Sequence, residues 1–211
     1  MSRFCDEIGI LGKSAAVQRV AEVGQLVLER PGDCLGVVRA GATSTQVDVM
    51  CQITDAKPVE VRGMGVRLSN EIAPDMYNYG HFQVLFEDGS LGWYEAGWGP
   101  MMSDTAFFVK DVVSPNGAVS IRMPESARSD DIDTHTKTSL LRVHRVGQGD
   151  ADISMADEPG HQELCDREQA FVARAITEGL DLTRHMEDAV QSLAICLAAD
   201  ESVRSGLAVK L

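Results

Sequence analysis

An Asp-Gly pair inside an alternating apolar pattern constrains the fold of this chain more than any other feature. In "HFQVLFEDGSLGWYEAGW", Phe82, Val84 and Phe86 alternate with other residues, Asp88-Gly89 interrupts the pattern, and an aromatic segment follows. Asp-Gly between two strand-like segments is the strongest short-range signal for a β-hairpin. A second hairpin is predicted where "SPNG" separates "TAFFVKDVV" from "AVSIRM". Consecutive hairpins indicate an antiparallel sheet.

Helical spacing of apolar residues occurs near both ends of the chain. Residues 14–28 are predicted to form a helix on a stripe of Val17, Val20, Gly24 and Val27. Two further helices are predicted over residues 161–179 and 183–206, each ending at a glycine, with Thr183 as the cap of the second. One face of that second helix carries Met186, Val190, Leu193 and Leu197.

The order of these elements predicts an α+β fold with a predominantly antiparallel, open-faced β-sheet and helices packed on one face. A single domain over residues 1–211 is expected. Residues 1–40 are assigned to an N-terminal extension, and the polar, acidic residues 124–139 to an exposed loop. The segment "GQGDADISMADEPG" is predicted to be a second polar loop.

The charge and the cysteines of the chain narrow its possible partners and location. A formal net charge of −13 argues against nucleic acid and against an anionic membrane surface, because both require clustered Lys and Arg. The five cysteines are odd in number and not closely spaced, so neither a disulfide framework nor a zinc site is indicated. The polar amino terminus and the lack of a long apolar segment predict a cytoplasmic protein.

Motifs for nucleotides and metals are missing from the sequence. "GILGKS" is similar to the end of a phosphate loop, but Glu7 stands where the motif G-x-x-x-x-G-K-[ST] needs its first glycine. No G-x-G-x-x-G follows a predicted strand, and the five histidines have no metal-binding spacing. The sequence therefore predicts no cofactor-binding residue and no metal ligand.

The carboxy-terminal half resembles a known family. The segments "DGSLGWYEAGW", "FFVKDVVSPNGAVSI" and "DLTRHMEDAVQSLAICLAADESVRSGLAVKL" are similar to the C-terminal domain of the Gfo/Idh/MocA oxidoreductases, the family of glucose–fructose oxidoreductase and inositol dehydrogenase. The most specific part is the tail, where A-x-x-S-L is followed by A-x-E-S-x-x-S-G and a short V-x-L strand. The resemblance covers Val59 to Leu211 and, less closely, Gly41 to Lys57.

This resemblance implies the second half of a two-domain enzyme, whose N-terminal Rossmann domain binds NAD or NADP. The sequence contains no Rossmann motif and no counterpart of the family's E-K-P lysine. The family's D-x-x-x-H-x-x-D pattern, laid on "GATSTQVD", places its final acid on Asp48, its histidine on Thr45 and its first acid on Gly41. Because Thr45 cannot accept a proton near neutral pH as an imidazole does, no catalytic residue is predicted.

The two tryptophans receive different assignments. Trp93 shares one face of a strand with Glu95, opposite Tyr94, and is assigned to an interface or core. Trp98 follows Gly97 in a loop and is assigned to the rim of a pocket. The predicted substrate-binding residues are Thr45, Asp48 and Trp98.

The resemblance supports three functions. The preferred function is an oxidoreductase-like domain for substrate binding and oligomerisation. Such a domain has no NAD(P)-binding domain of its own and is not catalytic alone. It is expected to form a homo-oligomer through the open sheet face and to bind a small polyol or sugar. The alternatives are a subunit or fragment of an NAD(P)-dependent sugar or polyol dehydrogenase completed by another chain, and an oligomeric scaffold protein. The sequence leaves open whether the chain is an enzyme, which ligand it binds and how many subunits assemble.

Overall fold

The computed structural model describes Val47, Met50 and Cys51 and the residues 56–97, 111–122 and 140–211. These residues form an α+β fold of antiparallel strands and helices. The described strands are β1 (Pro58–Val66), β2 (Tyr79–Phe86), β3 (Leu91–Gly97), β4 (Asp111–Ser114), β5 (Gly117–Arg122), β6 (Leu140–Arg145), β7 (Gly149–Ser154) and β8 (Val209–Lys210). The described long helices are α1 (His161–Glu178) and α2 (Thr183–Ser205). Val47, Met50 and Cys51 are also helical.

The first sheet has the strand order β3-β2-β1-β8 and is built on the predicted Asp-Gly hairpin. Gly89 has a φ of 84°, which an L-residue with a side chain rarely adopts, and it makes the turn between β2 and β3. The Asp88 carboxylate accepts a hydrogen bond of 2.9 Å from the backbone N–H of Ser90. This turn sets a register in which Phe82 lies opposite Tyr94, and their rings stack with centroids 4.8 Å apart.

The second sheet has the strand order β4-β5-β6-β7 and a different character on each face. Its buried face carries Val112, Val119, Ile121, Leu141 and Val143. Its other face carries charged cross-strand pairs. Arg142 contacts both carboxylate oxygens of Asp152 at 2.8 Å, and Nδ1 of His144 lies 2.7 Å from the Asp150 carboxylate. Because these pairs are about half exposed to water, they add little to stability.

Residues with little or no side chain bring α2 against β1. A Cβ added to Gly63 would lie 2.9 Å from the carbonyl oxygen of Ala199 and 3.0 Å from Cγ2 of Val203. The hydroxyl of Ser202 accepts a hydrogen bond from the Gly63 N–H at 2.9 Å and donates one to the carbonyl oxygen of Leu207 at 2.5 Å. The core cluster around this contact consists of Val47, Met50, Cys51, Ala56, Val61, Phe82, Val84, Phe86, Tyr94, Ile195, Ala198 and Ala199.

The structure confirms both predicted hairpins and both C-terminal helices, with Gly179 and Gly206 as left-handed C-caps. Two local predictions are wrong. Residues 149–154 form β7 rather than a loop, because this edge strand pairs with β6 through its backbone while its side chains stay largely exposed. The cap position of α2 is Leu182, and Thr183 is its first residue, whose N–H donates to the Asp181 carboxylate at 2.9 Å.

Some predictions lie outside the described residues. These are the helix over 14–28, the whole extension 1–40 and the acidic loop 124–139. The assignment of residues 1–211 to a single domain stays a prediction.

Candidate functional site

A cleft of about 170 Å³ lies between α2 and the glycine-rich end of the first sheet. Its walls include Tyr77, Phe82, Ala96, Cys196 and Val203. Met64, Gly80 and His81 also line it. A Cβ on Gly80 would lie 2.7 Å from the carbonyl oxygen of Met64, so the chains at this end of the sheet approach as closely as bare backbone allows. Most of the residues that line the cleft are apolar, and Tyr77, His81 and Asp200 are the polar ones.

The loop between β1 and β2 positions Tyr77, whose hydroxyl is one of the polar groups of the cleft. Asn78 is 1% exposed, accepts a hydrogen bond from the Leu68 N–H at 2.9 Å and donates one to the Ser69 hydroxyl at 3.1 Å. These bonds anchor the loop directly beside Tyr77. The Tyr77 hydroxyl in turn donates to the Asp200 carboxylate of α2 at 3.0 Å.

Three groups of the cleft, Asp200, Tyr77 and Cys196, have shifted pKa values. Arg204 donates a hydrogen bond to Asp200 at 2.8 Å, and chiefly this bond lowers the pKa of Asp200. Burial, followed by the bond to Asp200, raises the pKa of Tyr77. Burial also raises the pKa of the Cys196 thiol. Near neutral pH the carboxylate is ionised while the phenol and the thiol keep their protons, so these three groups suit binding better than proton transfer.

The face of the first sheet opposite α2 carries a group of aromatic and polar side chains. We call this the aromatic face and define it by Met64, Tyr79, His81, Leu85, Trp93 and Glu95. The rings of His81 and Trp93 stack with centroids 5.0 Å apart and planes 8° apart. The Tyr79 hydroxyl donates to the Glu95 carboxylate at 2.6 Å. The prediction that Trp93 and Glu95 share a face opposite the fully buried Tyr94 is confirmed.

Two ring nitrogens on the aromatic face have no hydrogen-bond partner among the described residues. Nδ1 of His81 and Nε1 of Trp93 are both buried, and neither reaches a partner within the described part of the chain. Buried polar atoms in native proteins are nearly always hydrogen-bonded. An acceptor supplied from outside the chain would meet the need of the indole N–H.

The structure does not test the predicted substrate-binding residues. Thr45, Asp48 and Trp98 lie outside the described residues. Val47, which lies between Thr45 and Asp48 in the sequence, is fully buried in the core cluster. Gly97, which precedes Trp98, pairs with Tyr79 on the aromatic face.

Sequence reasoning missed the polar groups of the cleft. Asp200 and Arg204 stand four residues apart on a helix, which is a common surface ion pair and no signal for a site. Tyr77 stands 123 residues from Asp200 in the chain. Only the packing of α2 on the sheet brings them together, and nothing in the sequence pattern indicates this contact.

The described residues show neither a metal cluster nor a membrane-spanning helix. No group of three or more His, Cys, Asp or Glu side chains is placed to hold a metal ion there. None of the described helices is both long enough and apolar enough to cross a bilayer.

Solved oxidoreductases share the fold of this chain. An aldose-aldose oxidoreductase from Caulobacter crescentus, solved with glycerol, matches with a TM-score of 0.58 and 19% identity over 80% of this chain and 45% of that chain. An oxidoreductase from Agrobacterium radiobacter, solved with NAD+, L-tartaric acid and magnesium, matches with a TM-score of 0.62 and 12% identity over 90% and 61%. An oxidoreductase domain protein from Kribbella flavida matches with a TM-score of 0.58 and 16% identity over 79% and 49%. No protein-family model and no curated protein matches the chain.

These likenesses establish the fold class that the C-terminal segments implied, an antiparallel α+β domain of the kind found in oxidoreductases. The chain spans about half the length of the solved proteins that it matches. Identities below 20% support the shared fold and leave the chemistry of this chain to be argued from its own residues.

Proposed function

We propose that this chain is an oxidoreductase-like domain for substrate binding and oligomerisation that does not transfer hydride by itself. The observation that carries the proposal is the fold shared with solved oxidoreductases, combined with a sequence that contains no dinucleotide-binding motif. The same conclusion is supported by Thr45 at the family's histidine position and Gly41 at its first acid position. NAD or NADP is therefore not a cofactor of this chain alone.

The ligand proposed for the domain is a small polyol or sugar. Such molecules have an apolar ring or carbon face and several hydroxyls that both donate and accept hydrogen bonds. In the cleft beside α2, Asp200 offers an ionised acceptor and Tyr77 a hydroxyl, and most of the other lining residues are apolar. Thr45, Asp48 and Trp98 are kept as proposed contributors to this pocket. A mostly apolar cleft with few polar groups is typical of small-molecule sites.

The homo-oligomer is proposed to form through the aromatic face. Tryptophan, tyrosine and methionine are enriched in interfaces, and the side chains of Met64 and Leu85 are 64% and 40% exposed. The charged outer face of the second sheet is a poorer choice, because its ions are already paired with one another. The cytoplasm is the proposed location, in line with the cysteine pattern.

Three measurements on the purified chain test this proposal. Titration with NAD(H) and NADP(H) is expected to give no binding, and nicotinamide-dependent turnover would contradict the proposal outright. Sugars and polyols in a thermal-shift panel are expected to stabilise the chain, and Tyr77→Phe, which removes a hydroxyl from the cleft, is expected to reduce that shift. If no member of the panel stabilises the chain, the ligand part of the proposal is wrong.

Sedimentation across concentrations tests the oligomer. Leu85→Glu on the aromatic face is expected to lower the assembly mass, because a charge desolvated at an apolar interface is costly. Val113→Glu on the second sheet is the matched control, since Val113 is 37% exposed against 40% for Leu85. A wild-type chain that sediments as a stable monomer would contradict oligomerisation.

Two alternatives make different predictions for these samples. A subunit of an NAD(P)-dependent sugar or polyol dehydrogenase would co-purify with a chain that carries G-x-G-x-x-G and E-K-P, and activity would appear only in that complex. An oligomeric scaffold protein would assemble through the sheet but give no thermal shift with any polyol.

A further inference from the structure

Asp200 is the one carboxylate among the described residues that line the cleft beside α2. No Lys or Arg is found among those lining residues. Arg204, which donates a hydrogen bond to Asp200, lies outside the lining. The described wall of the cleft therefore carries an ionised acceptor and neither a lysine nor an arginine.

Arg204 does not neutralise the charge beside the cleft. It donates to Oδ2 of Asp200 at 2.8 Å, and Asp75 is a second carboxylate in its neighbourhood. Both raise the pKa of Arg204, Asp200 chiefly through the hydrogen bond and Asp75 through a weaker attraction. Two carboxylates around one guanidinium leave one negative charge in excess. The chain as a whole carries a formal net charge of −13, which attracts cations from solution.

The polar groups of this wall are placed to accept hydrogen bonds. Oδ1 of Asp200 accepts from the Tyr77 hydroxyl at 3.0 Å, and Oδ2 accepts from Arg204. A carboxylate has about four lone-pair sites and a phenol oxygen has two, so each can accept a further bond. Because Tyr77 already donates its proton to Asp200, its hydroxyl presents only lone pairs to a ligand. A ligand group that only donates therefore fits this wall best.

The remainder of the cleft suits the carbon skeleton of a small ligand. Its volume of about 170 Å³ is similar to that of an engineered cavity of about 150 Å³ that holds benzene, so about six heavy atoms fit inside. Phe82, Ala199 and Val203 line it together with Tyr77. The C–H groups of one sugar ring or of a short polyol can pack on these side chains while the hydroxyls remain in water.

The ring of Tyr77 is held in place by the surrounding structure. A Cβ on Gly65 would lie 2.9 Å from Cγ of this ring and 3.0 Å from Cγ1 of Val203, so a bare backbone is needed for the ring to lie here. Asn78 anchors the loop, and Asp200 holds the hydroxyl. Because both acceptors are already positioned, a ligand loses little free energy in ordering them.

We propose that the ligand of this cleft is an aminated polyol or amino sugar whose protonated amine binds between Asp200 and Tyr77. An alkyl ammonium has three N–H donors and no acceptor, which matches two groups that both accept. The rings of Tyr77 and Phe82 add attraction to a cation. A neutral polyol of the same shape lacks the stronger, charge-assisted bond. The inference rests on the proposed use of the cleft as the ligand site and adds the charge of the ligand.

A matched pair of ligands tests the charge. Sorbitol and 1-amino-1-deoxysorbitol differ in one terminal group, and the amine is protonated near neutral pH because alkyl amines have pKa values close to that of lysine, about 10.4. Titration calorimetry on the unmodified chain is expected to show at least tenfold tighter binding of the amine, equivalent to about 1.4 kcal/mol. This preference is expected to shrink at high salt.

The same titrations separate failure of this inference from failure of the proposed function. Equal affinities for the two compounds would overturn the inference and leave a neutral polyol as the ligand. If neither compound binds, the inference and the ligand part of the proposed function both fail.

Cys196 reports whether the amine occupies this cleft. Its side chain lines the cleft, whereas Cys165 lies on α1 and outside the lining, and both are partly exposed. 1-Amino-1-deoxysorbitol is expected to slow the alkylation of Cys196 several-fold and to leave that of Cys165 unchanged, as measured by peptide mass spectrometry. Binding without slower alkylation of Cys196 would assign the amine to another place and overturn the inference.

Asp200→Asn and Glu201→Gln form a matched pair of variants, because each removes one negative charge from α2 and only Asp200 lines the cleft. Asparagine keeps an acceptor for the Tyr77 hydroxyl. The affinities for the amine and for sorbitol are compared as a ratio within each variant, so a general loss of stability does not change the result. Asp200→Asn is expected to bring this ratio close to one, while Glu201→Gln keeps it near the wild-type value. An undiminished ratio in Asp200→Asn, or an equal loss in both variants, would overturn the inference.

Discussion

Gly63→Ala is the sharpest test of how α2 meets the first sheet. The new Cβ would lie 2.9 Å from the carbonyl oxygen of Ala199 and 3.0 Å from Cγ2 of Val203, where ordinary contacts begin at 3.4 Å. The second contact can relax by a small rotation of the Val203 side chain, but the first involves the backbone of α2. The helix must therefore move outward by about half an ångström or the strand must bend.

The expected cost follows from these two contacts. Overpacking of a filled core costs about 1–3 kcal/mol. Alanine recovers about 0.5–1 kcal/mol relative to glycine, because it loses less backbone freedom on folding. From the middle of both ranges the net destabilisation is about 1 kcal/mol, which for a chain of this size lowers Tm by roughly 2–4 °C. Part of the loss also comes from a longer bond between the Gly63 N–H and Ser202.

Thermal and urea unfolding of the two alanine variants in β1 measure this effect. Arg62→Ala is the control, because Arg62 is the exposed neighbour in the same strand and its replacement should change stability by less than about 0.5 kcal/mol. Gly63→Ala combined with Val203→Ala is expected to recover only the side-chain part of the strain. An unchanged or raised Tm for Gly63→Ala would refute the close backbone contact and the account of the cleft built on it.

Three further predictions concern the same helix. Ser202→Ala leaves the buried N–H of Gly63 without its acceptor and should cost about 1–3 kcal/mol in denaturant unfolding; a loss below about 0.5 kcal/mol would mean that water replaces the hydroxyl. The hydrogen bond from Arg204 lowers the pKa of Asp200 in the folded state. The ionised carboxylate therefore stabilises the fold above its unfolded pKa of about 3.9, and this contribution is lost as the pH falls through the lower folded pKa. Asp200→Asn should therefore flatten the acid limb of a stability-against-pH curve, and an unchanged limb would contradict the pairing. Since burial raises the pKa of Cys196, its alkylation at pH 7.5 should be slower than that of a free peptide thiol, and peptide mass spectrometry that finds equal rates would contradict that burial.

Local patterns in the sequence determined much of the framework. Asp88-Gly89 specifies a tight turn through glycine's access to positive φ, and alternation on both sides decides which side chains face the core. Gly179 and Gly206 end their helices for the same backbone reason. These features depend on neighbours within a few residues, so they can be read without a structure. The edge strand β7 could not be predicted this way, because its side chains are largely exposed and its backbone pairing with β6 is what makes it a strand.

Tertiary packing alone decided the candidate site and the role of α2. The apolar pattern of α2 suggests that Met186, Val190, Leu193 and Leu197 face the core. The side that packs on the sheet is instead the one with serines and alanines. Only small residues let the helix approach β1 at Gly63. The same close approach places Tyr77 against Asp200 and creates the cleft. Contacts between residues more than a hundred positions apart depend on how two surfaces fit together, and no local pattern in the sequence records that fit.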